Sequence, residues 1–409
     1  MSKSTARGVR MRRFLVVMQI AVALTLLVGA GLLIKSFSQL LSVDPGFTPK
    51  NVLTMEVHLP PIRYPQPHQT TAFFQRSLEE IRTLPGVRSA ATTWKLPLTS
   101  DGGTAGMQIV GQAANGPDDR KPVLVQAITP GYFRTLGIPL LRGRELEERD
   151  NAEAPGVVLI NEAAAQRYWP NQDPVGERVQ LEVNFGPGGM LPPGEREVVG
   201  VVASVRQNGL DKEAEPELYF PTYQSVWRMA TFVIETDGTP HAVSKPAVDA
   251  IRSIDPELAV GNIRTAKELI DGSVKQPRAW MWLMALLAVV ALVLAAVGIY
   301  GVISYAVTRR VKELGLRMAL GARQSDVLGL VLKEGAILGL VGVGIGLVLT
   351  FGVLQMASSF LAAMLFEVSP SDLPVVLTVC LTLALLSIFA SFIPARRATQ
   401  VDPWSVLRQ

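Results

Sequence analysis

The side chains best suited to nucleophilic, acid–base or metal chemistry are scarce in these 409 residues: one cysteine, Cys380, and three scattered histidines, His58, His68 and His241. A Cys/His metal site needs several such ligands at short spacing, so none is expected, and a single cysteine excludes a disulfide framework. The histidines read as surface or strand-edge residues. No G-x-x-x-x-G-K-[ST] run exists to cradle a nucleotide phosphate, and Gly186-Pro187-Gly188-Gly189 stands in a Pro-rich stretch, Pro187 to Glu195, that reads as a flexible loop. No Ser/His/Asp set or carboxylate pair has a persuasive setting. The chain is therefore not read as an enzyme, and no cofactor is expected in it.

Charge pairs and glycines carry the remaining chemistry. Glu313 and Arg317 stand i,i+4 in a basic segment that also holds Gly315, Gly321 and Arg323. On a helix such a pair is either a local contact worth a few tenths of a kcal/mol or a charged face offered to a partner. Gly321 permits a break, and Asp326 can cap the helix that follows. Gly335 with Gly339, and Gly342 with Gly346, repeat the i,i+4 spacing, with Gly344 as a further small site. In an apolar helix these glycines let a second helix approach closely, either within one bundle or between two copies. Gln19 is a lone amide in an apolar run and would seek an interhelical hydrogen bond.

The elements that must hold these residues are four charge-free stretches: Phe14 to Ile34, Ala279 to Thr308, Gly335 to Leu354 and Pro374 to Pro394. Each is long enough to cross a bilayer as a helix, and a polar segment of about 240 residues separates the first from the second. The fold class is thus an α+β membrane protein, with four transmembrane helices in a 1+3 layout and a large extracytoplasmic α/β domain. The first stretch reads as a retained span and not a cleavable signal, because its 21 apolar residues exceed a usual signal core.

Composition agrees, with 48% hydrophobic and 18% charged residues. Between Lys35 and Arg278 there are 25 Lys and Arg against 29 Asp and Glu, which leaves 14 basic and 6 acidic residues elsewhere. The basic balance therefore belongs to the membrane flanks, and no nucleic-acid partner is expected. Lys3, Arg7, Arg10, Arg12 and Arg13 precede the first span, Arg309, Arg310, Lys312, Arg317 and Arg323 follow the second, and Arg396 and Arg397 follow the fourth. Positive short segments stay in the cytoplasm, so residues 1–13, the loop after the second span and residues 395–409 are expected inside, with residues 35–278 exported.

Within the exported segment, Leu53, Met55, Val57 and Leu59 alternate with polar residues as a half-buried strand does. A helix from about Gln69 to Leu84 and a strand from Val87 to Trp94 complete a β-α-β unit. A second unit of the same order spans Thr231 to Ile263, and a helix from Ala266 leads into the second span, so that Ala266 to Thr308 reads as one stiff lever. Residues of about 50–120 and 224–278 form a membrane-proximal subdomain, with a strand-rich one, about 121–223, inserted between its halves. Residues 279–394 form a second membrane part, with spans at about 279–308, 335–354 and 374–394.

The run Glu313-Leu314-Gly315-Leu316-Arg317-Met318-Ala319-Leu320-Gly321-Ala322-Arg323, and Pro394-Ala395-Arg396-Arg397-Ala398 with Val401-Asp402-Pro403 and Leu407-Arg408, resemble the two signature segments of FtsX/MacB-like ABC transporter permeases. Pro130-Gly131-Tyr132-Phe133-Arg134-Thr135-Leu136-Gly137-Ile138-Pro139, Asn161-Glu162-Ala163-Ala164-Ala165 and Asp173-Pro174-Val175-Gly176 resemble that family's periplasmic core domain. Within the family the chain is most similar to one repeat of the duplicated permeases of acidobacteria. It departs from MacB in that a short basic tail, and no ATP-binding domain, precedes the first span.

The resemblance implies a permease subunit of the mechanotransmission type in a bacterial plasma (inner) membrane, built for export or efflux. In such a machine, closure of two cytoplasmic ATPases is passed through the helices to the periplasmic domain, with no substrate crossing the spans. The implied partners are a separate cytoplasmic ABC ATPase, a second permease unit as homodimer or paired chain, membrane lipid, and a periplasmic adaptor. The resemblance places Glu313, Gly315, Arg317, Gly321 and Arg323 at the ATPase-coupling interface, and Arg396, Arg397, Asp402 and Pro403 in a cytoplasmic C-terminal motif. The alternative is a membrane receptor or regulator acting on an extracytoplasmic partner such as a cell-wall hydrolase, without transport.

Overall fold

A computed structural model of the protein describes residues 3–48, 50–99, 103–112, 120–184, 189–319, 323–356 and 365–399. Helix α1 (Lys3–Ser42) is followed by β1 (Val52–His58), α2 (Pro67–Arg82), β2 (Val87–Thr93), β3 (Gly103–Ile109), β4 (Lys121–Ile128) and α3 (Tyr132–Leu136). Next come β5 (Leu140–Gly143), β6 (Val157–Asn161), α4 (Glu162–Tyr168), β7 (Arg178–Asn184), β8 (Gly189–Val202), β9 (Glu217–Pro221) and β10 (Val226–Trp227). The chain then forms β11 (Met229–Thr236), α5 (Pro240–Ile254), β12 (Val260–Thr265) and α6 (Ala266–Ser273). Four helices complete it: α7 (Lys275–Arg309), α8 (Val311–Ala319), α9 (Gln324–Met356) and α10 (Leu373–Thr399). The chain divides into two units, Met1–Ser42 with Gln276–Gln409, and Val43–Lys275.

In the second unit, the alternating residues of β1 put Leu53, Met55 and Val57 into a core with Phe73, Phe74 and Leu78 of α2 and Val243, Ala247 and Ile251 of α5. The strand order is β12-β1-β11-β2, antiparallel throughout. The two β-α-β patterns read from sequence therefore interleave into one β-α-β-β-α-β sheet of ferredoxin-like order, with both helices against it. Helix α2 starts with Pro67 in its first turn, where no N–H is needed, and Gln66 and Gln69 form a capping box.

The connection from β2 to β11 carries the insertion. Its strands pair in the order β4-β3-β7-β8-β6-β9, and β9 returns to pair in parallel with β4, so the strands close into a ring. Met107, Val125, Val158, Leu181, Val198 and Phe220 fill it, with Trp94 and Trp227 packed at a tilt, their centroids 4.4 Å apart. Strand β3, grouped by sequence with the membrane-proximal part, belongs to this ring because it pairs with β4 and β7 and buries Met107 and Ile109 there. The Pro-rich stretch read as a loop is mostly strand: Gly194 pairs Leu181 and Leu191 pairs Val183, so Pro192 and Pro193 sit in a bulge opposite one residue of β7.

Buried Glu217 lies on β9. Tyr219 Oη donates to its carboxylate at 2.6 Å, and Gln207 Nε2 donates to both oxygens at 2.8 and 3.0 Å. Burial outweighs these donors and pushes the carboxyl up to about 7. Asn161 ties the neighbouring strand in, accepting from the N–H groups of Ala164 and Glu217 at 2.9 Å each and donating to Glu215 O.

In the first unit, α1, α7, α9 and α10 are each long and apolar enough to cross a bilayer. Ile20, Leu24 and Leu32 of α1, Ile299 and Ile303 of α7, Leu338 of α9 and Leu383 of α10 share one core. Leu286, Val297, Leu340, Val348, Leu381 and Phe389 are exposed on the outer faces, the arrangement lipid favours. The lever expected from Ala266 to Thr308 is interrupted at Val274. Pro277 explains the break: a continuous helix would drive its ring into the carbonyl of Ser273, whereas in the first turn of α7 it is tolerated.

Candidate coupling site

The basic segment after α7 folds as the nine-residue helix α8, which carries Glu313, Gly315 and Arg317. Arg317 Nη2 donates to Glu313 Oε1 at 2.7 Å, with both side chains about half exposed, at 50% and 51%. The i,i+4 pair is thus made, and it faces outward, with exposed Leu316 beside it. Against the bundle, Met318 packs on buried Val327 of α9, which Val307 of α7 also covers. Arg323 is exposed, and its backbone N–H donates to Asp326 Oδ2 at 3.0 Å. Asp326 therefore supports the start of α9 from the third helical position and is not itself the cap. Gly321, Asp402 and Pro403 lie outside the described residues. Arg397 Nη1 donates to Tyr300 Oη of α7 at 3.0 Å, and exposed Arg396 stands beside it on α10.

The four paired glycines divide between two seams. A Cβ at Gly335 would meet Ser391 Oγ at 1.9 Å and one at Gly339 would meet Ser387 Oγ at 2.6 Å, both on α10. One at Gly342 would meet Ile20 Cβ at 2.7 Å and one at Gly346 Ala21 Cα at 3.0 Å, both on α1. Ser387 and Ser391 donate to carbonyls of their own helix, of Leu383 and Ser387, at 2.8 and 2.7 Å, so their hydroxyls are satisfied at the seam. Gly344 has open space around it. Helix α9 is thereby held between α1 and α10, and Thr25 and Thr350 share a hydrogen bond of 3.0 Å across the α1 seam. Gln19 lies over Gly298 of α7, where a Cβ would meet its Oε1 at 2.3 Å.

Two levels of charge frame the bundle, and sequence reasoning passed over both. At one level Glu334 of α9 takes Arg13 of α1 and, at 3.4 Å, Arg310 of the α7–α8 junction. Tyr305 lies there between two guanidiniums, with Arg12 4.4 Å and Arg309 5.3 Å from its ring centroid. At the other level Lys35 of α1 pairs with Asp372 beside α10, and Ser36 Oγ accepts from the N–H of Phe366. Arg13 and Lys35 are 22 residues apart on one helix, about 33 Å at 1.5 Å per residue, close to the roughly 30 Å hydrocarbon core of a bilayer. The available signal was position: Arg13 and Glu334 immediately precede charge-free runs and Lys35 immediately follows one.

Among the described residues no group of three or more His, Cys, Asp or Glu is placed to hold a metal ion. His241 faces Glu268 across 3.3 Å at an exposed position. The exported motifs build turns and caps: Gly131 and Gly137 take positive φ at the two ends of α3, which buries Tyr132 and Phe133.

A family model described as MacB-like periplasmic core domain matches residues 14–265, and one described as FtsX-like permease C-terminal matches residues 285–403. The macrolide export ATP-binding/permease protein MacB of Chromobacterium violaceum is 29% identical over 286 residues, 68% of this chain and 42% of that protein. The probable syringafactin export ATP-binding/permease protein SyfD of Pseudomonas syringae pv. syringae is 26% identical over 296 residues, 69% of this chain and 42% of that one. The chain thus spans about two-fifths of the length of these relatives. The crystal structure of the periplasmic region of MacB from Actinobacillus actinomycetemcomitans aligns with a TM-score of 0.37 at 16% identity, covering 58% of this chain and 98% of that one.

Proposed function

Because the chain belongs to the family of ABC transporter permeases that join a MacB-like periplasmic core domain to an FtsX-like C-terminal region, we propose that it is an export permease of the mechanotransmission type. It is an inner-membrane protein with a periplasmic domain. In the proposed mechanism, α8 seats in an ABC ATPase on a separate chain, and nucleotide-driven closure moves the helices and, through them, the periplasmic unit. Two such permease units pair, as homodimer or with a second chain, so that two ATPases can close on each other, and a periplasmic adaptor receives the motion. Both chain ends lie in the cytoplasm, on the side where the basic clusters gather. Arg396, Arg397, Asp402 and Pro403 contribute to the same cytoplasmic surface.

The observation that carries this reading is the family match across both ends of the 1+3 layout, joined to a short charged helix whose Glu313–Arg317 face is exposed. Reversing the pair, Glu313→Arg with Arg317→Glu, keeps an opposite-charge i,i+4 contact and should leave folding within a few tenths of a kcal/mol. Reversed charges facing a complementary groove meet like charges instead, so association weakens. The expected result is normal membrane insertion with reduced co-purification of the ATPase and reduced stimulated hydrolysis. Wild-type values of both would refute the assignment of α8 to the interface.

A further inference from the structure

Helix α8 meets the bundle through Met318. That side chain rests on Val327 of α9, against which Val307 of α7 also packs, and the N-terminal end of α8 follows directly on Arg310, the single residue between α7 and α8. Arg310 reaches Glu334 at 3.4 Å, and the same carboxylate takes Arg13. One acidic side chain thus joins the root of α8 to α1 and α9, the two helices that the Gly342 and Gly346 seam locks together. Glu334 is the first residue outside the charge-free run of α9, and its exposure is only 25%. An ionisable group kept at the edge of the hydrocarbon zone is costly unless its partners are fixed, and here the partners come from two other segments.

We propose that Glu334 is a positioning residue for coupling: it passes displacement of α8 through Arg310 into α9 and α1 together. The proposal rests on the reading of α8 as the coupling helix. Neutralising Glu334 removes the charged tie from Arg310 to α9 and α1 and leaves α8 meeting α9 through Met318 and Val327, so displacement of α8 is passed on less firmly, and to α1 least of all. The Glu313–Arg317 face, which meets the ATPase, is untouched by that change. Association and coupling should therefore separate.

The test uses the full chain in proteoliposomes with the ABC ATPase that co-purifies with it, comparing wild type, Glu334→Gln, Glu334→Asp and Arg310→Gln. Glu334→Gln and Arg310→Gln are expected to retain ATPase association while stimulated hydrolysis falls by roughly tenfold, within the span of measured coupling effects. Glu334→Asp, which keeps the charge, is expected to retain most of the stimulation. Wild-type stimulation in Glu334→Gln overturns the proposal. Loss of insertion or of association in both neutral variants also overturns it, because Glu334 would then be merely structural. Hydrogen exchange over residues 311–319 in the chain alone, expected to rise in Glu334→Gln, reports the clamp without any ATPase. If the Glu313/Arg317 reversal leaves association intact while that exchange still rises, the coupling-helix reading fails and the clamp stands.

Discussion

The glycine seams of α9 allow a series in which one change, Gly→Ala, is made at five positions of one helix with different neighbours. In an exposed helix the change gains up to about 1 kcal/mol from propensity, and forcing a methyl group into a packed contact costs about 1–3 kcal/mol. At Gly335 the new Cβ would stand 1.9 Å from Ser391 Oγ and 2.8 Å from Ser391 Cβ, so rotating the hydroxyl cannot relieve it. At Gly342 it would stand 2.7 Å from both Cβ and Cγ2 of Ile20, and at Gly339 2.6 Å from Ser387 Oγ. Gly346 meets Ala21 Cα at 3.0 Å, a tight contact just short of exclusion, and Gly344 meets nothing within 4 Å. The expected order of loss is Gly335 first, then Gly342 and Gly339, at about 1–2 kcal/mol net, then Gly346 by a smaller amount because backbone atoms of Ala21 must give, with Gly344→Ala stabilising by up to about 1 kcal/mol. Reversible unfolding of the full chain in mixed detergent micelles measures each value. Adding Ser391→Gly to Gly335→Ala should restore most of the loss. Equal effects at all five positions, or no rescue by Ser391→Gly, would refute the assignment of these glycines to contacts within the bundle.

Glu217 gives a pH signature in the exported unit. Its carboxyl is raised from the ordinary 4.5 to about 7, so its contribution is complete below about pH 4.5 and is lost as pH rises from there through 7, about 3 kcal/mol in all. Glu217→Gln should remove that slope in hydrogen exchange of β9 measured between pH 4.5 and 8, and a wild type with no slope would refute the burial argument. For topology, single cysteines at positions 182 and 317 in a Cys380→Ser background should differ, with 182 labelled from outside by an impermeant reagent and 317 only after permeabilisation. Protection of 182 in intact cells would remove the transporter reading. Crosslinking in native membranes should trap a pair of permease units; monomer alone with transport intact would exclude pairing.

Charge-free length was enough to place the four long helices, because an apolar run of about 20 residues satisfies its own backbone groups in lipid as a helix, whereas a barrel strand needs only about 10. Alternation in Leu53 to Leu59 likewise exposed β1. What the sequence hid was long-range. The closing of β9 onto β4 joins residues about 90 apart in the chain, and nothing local announces it. Pro192 and Pro193 argue for a loop until β7 supplies a partner strand, against which β8 bulges to take both. Reading Ala266 to Thr308 as one lever missed Pro277, whose place in a first helical turn marks the start of α7. At the candidate site, the exposed pair Glu313–Arg317 was accessible from spacing alone, whereas Glu334 was not, since its meaning depends on Arg13, more than 300 positions away.

The two charged levels on α1 make that helix a ruler. Arg13 is tied at one end and Lys35 at the other, so the apolar girth between them is fixed by covalent rise and not by packing alone. A bilayer much thicker or thinner than about 33 Å must deform, tilt the helix or strain one tie, at fractions of a kcal/mol per ångström. Acyl-chain length is then a load on the fold: a mismatched membrane pulls on the Arg13–Glu334–Arg310 knot at one end of α1 and on the Lys35–Asp372 pair at the other.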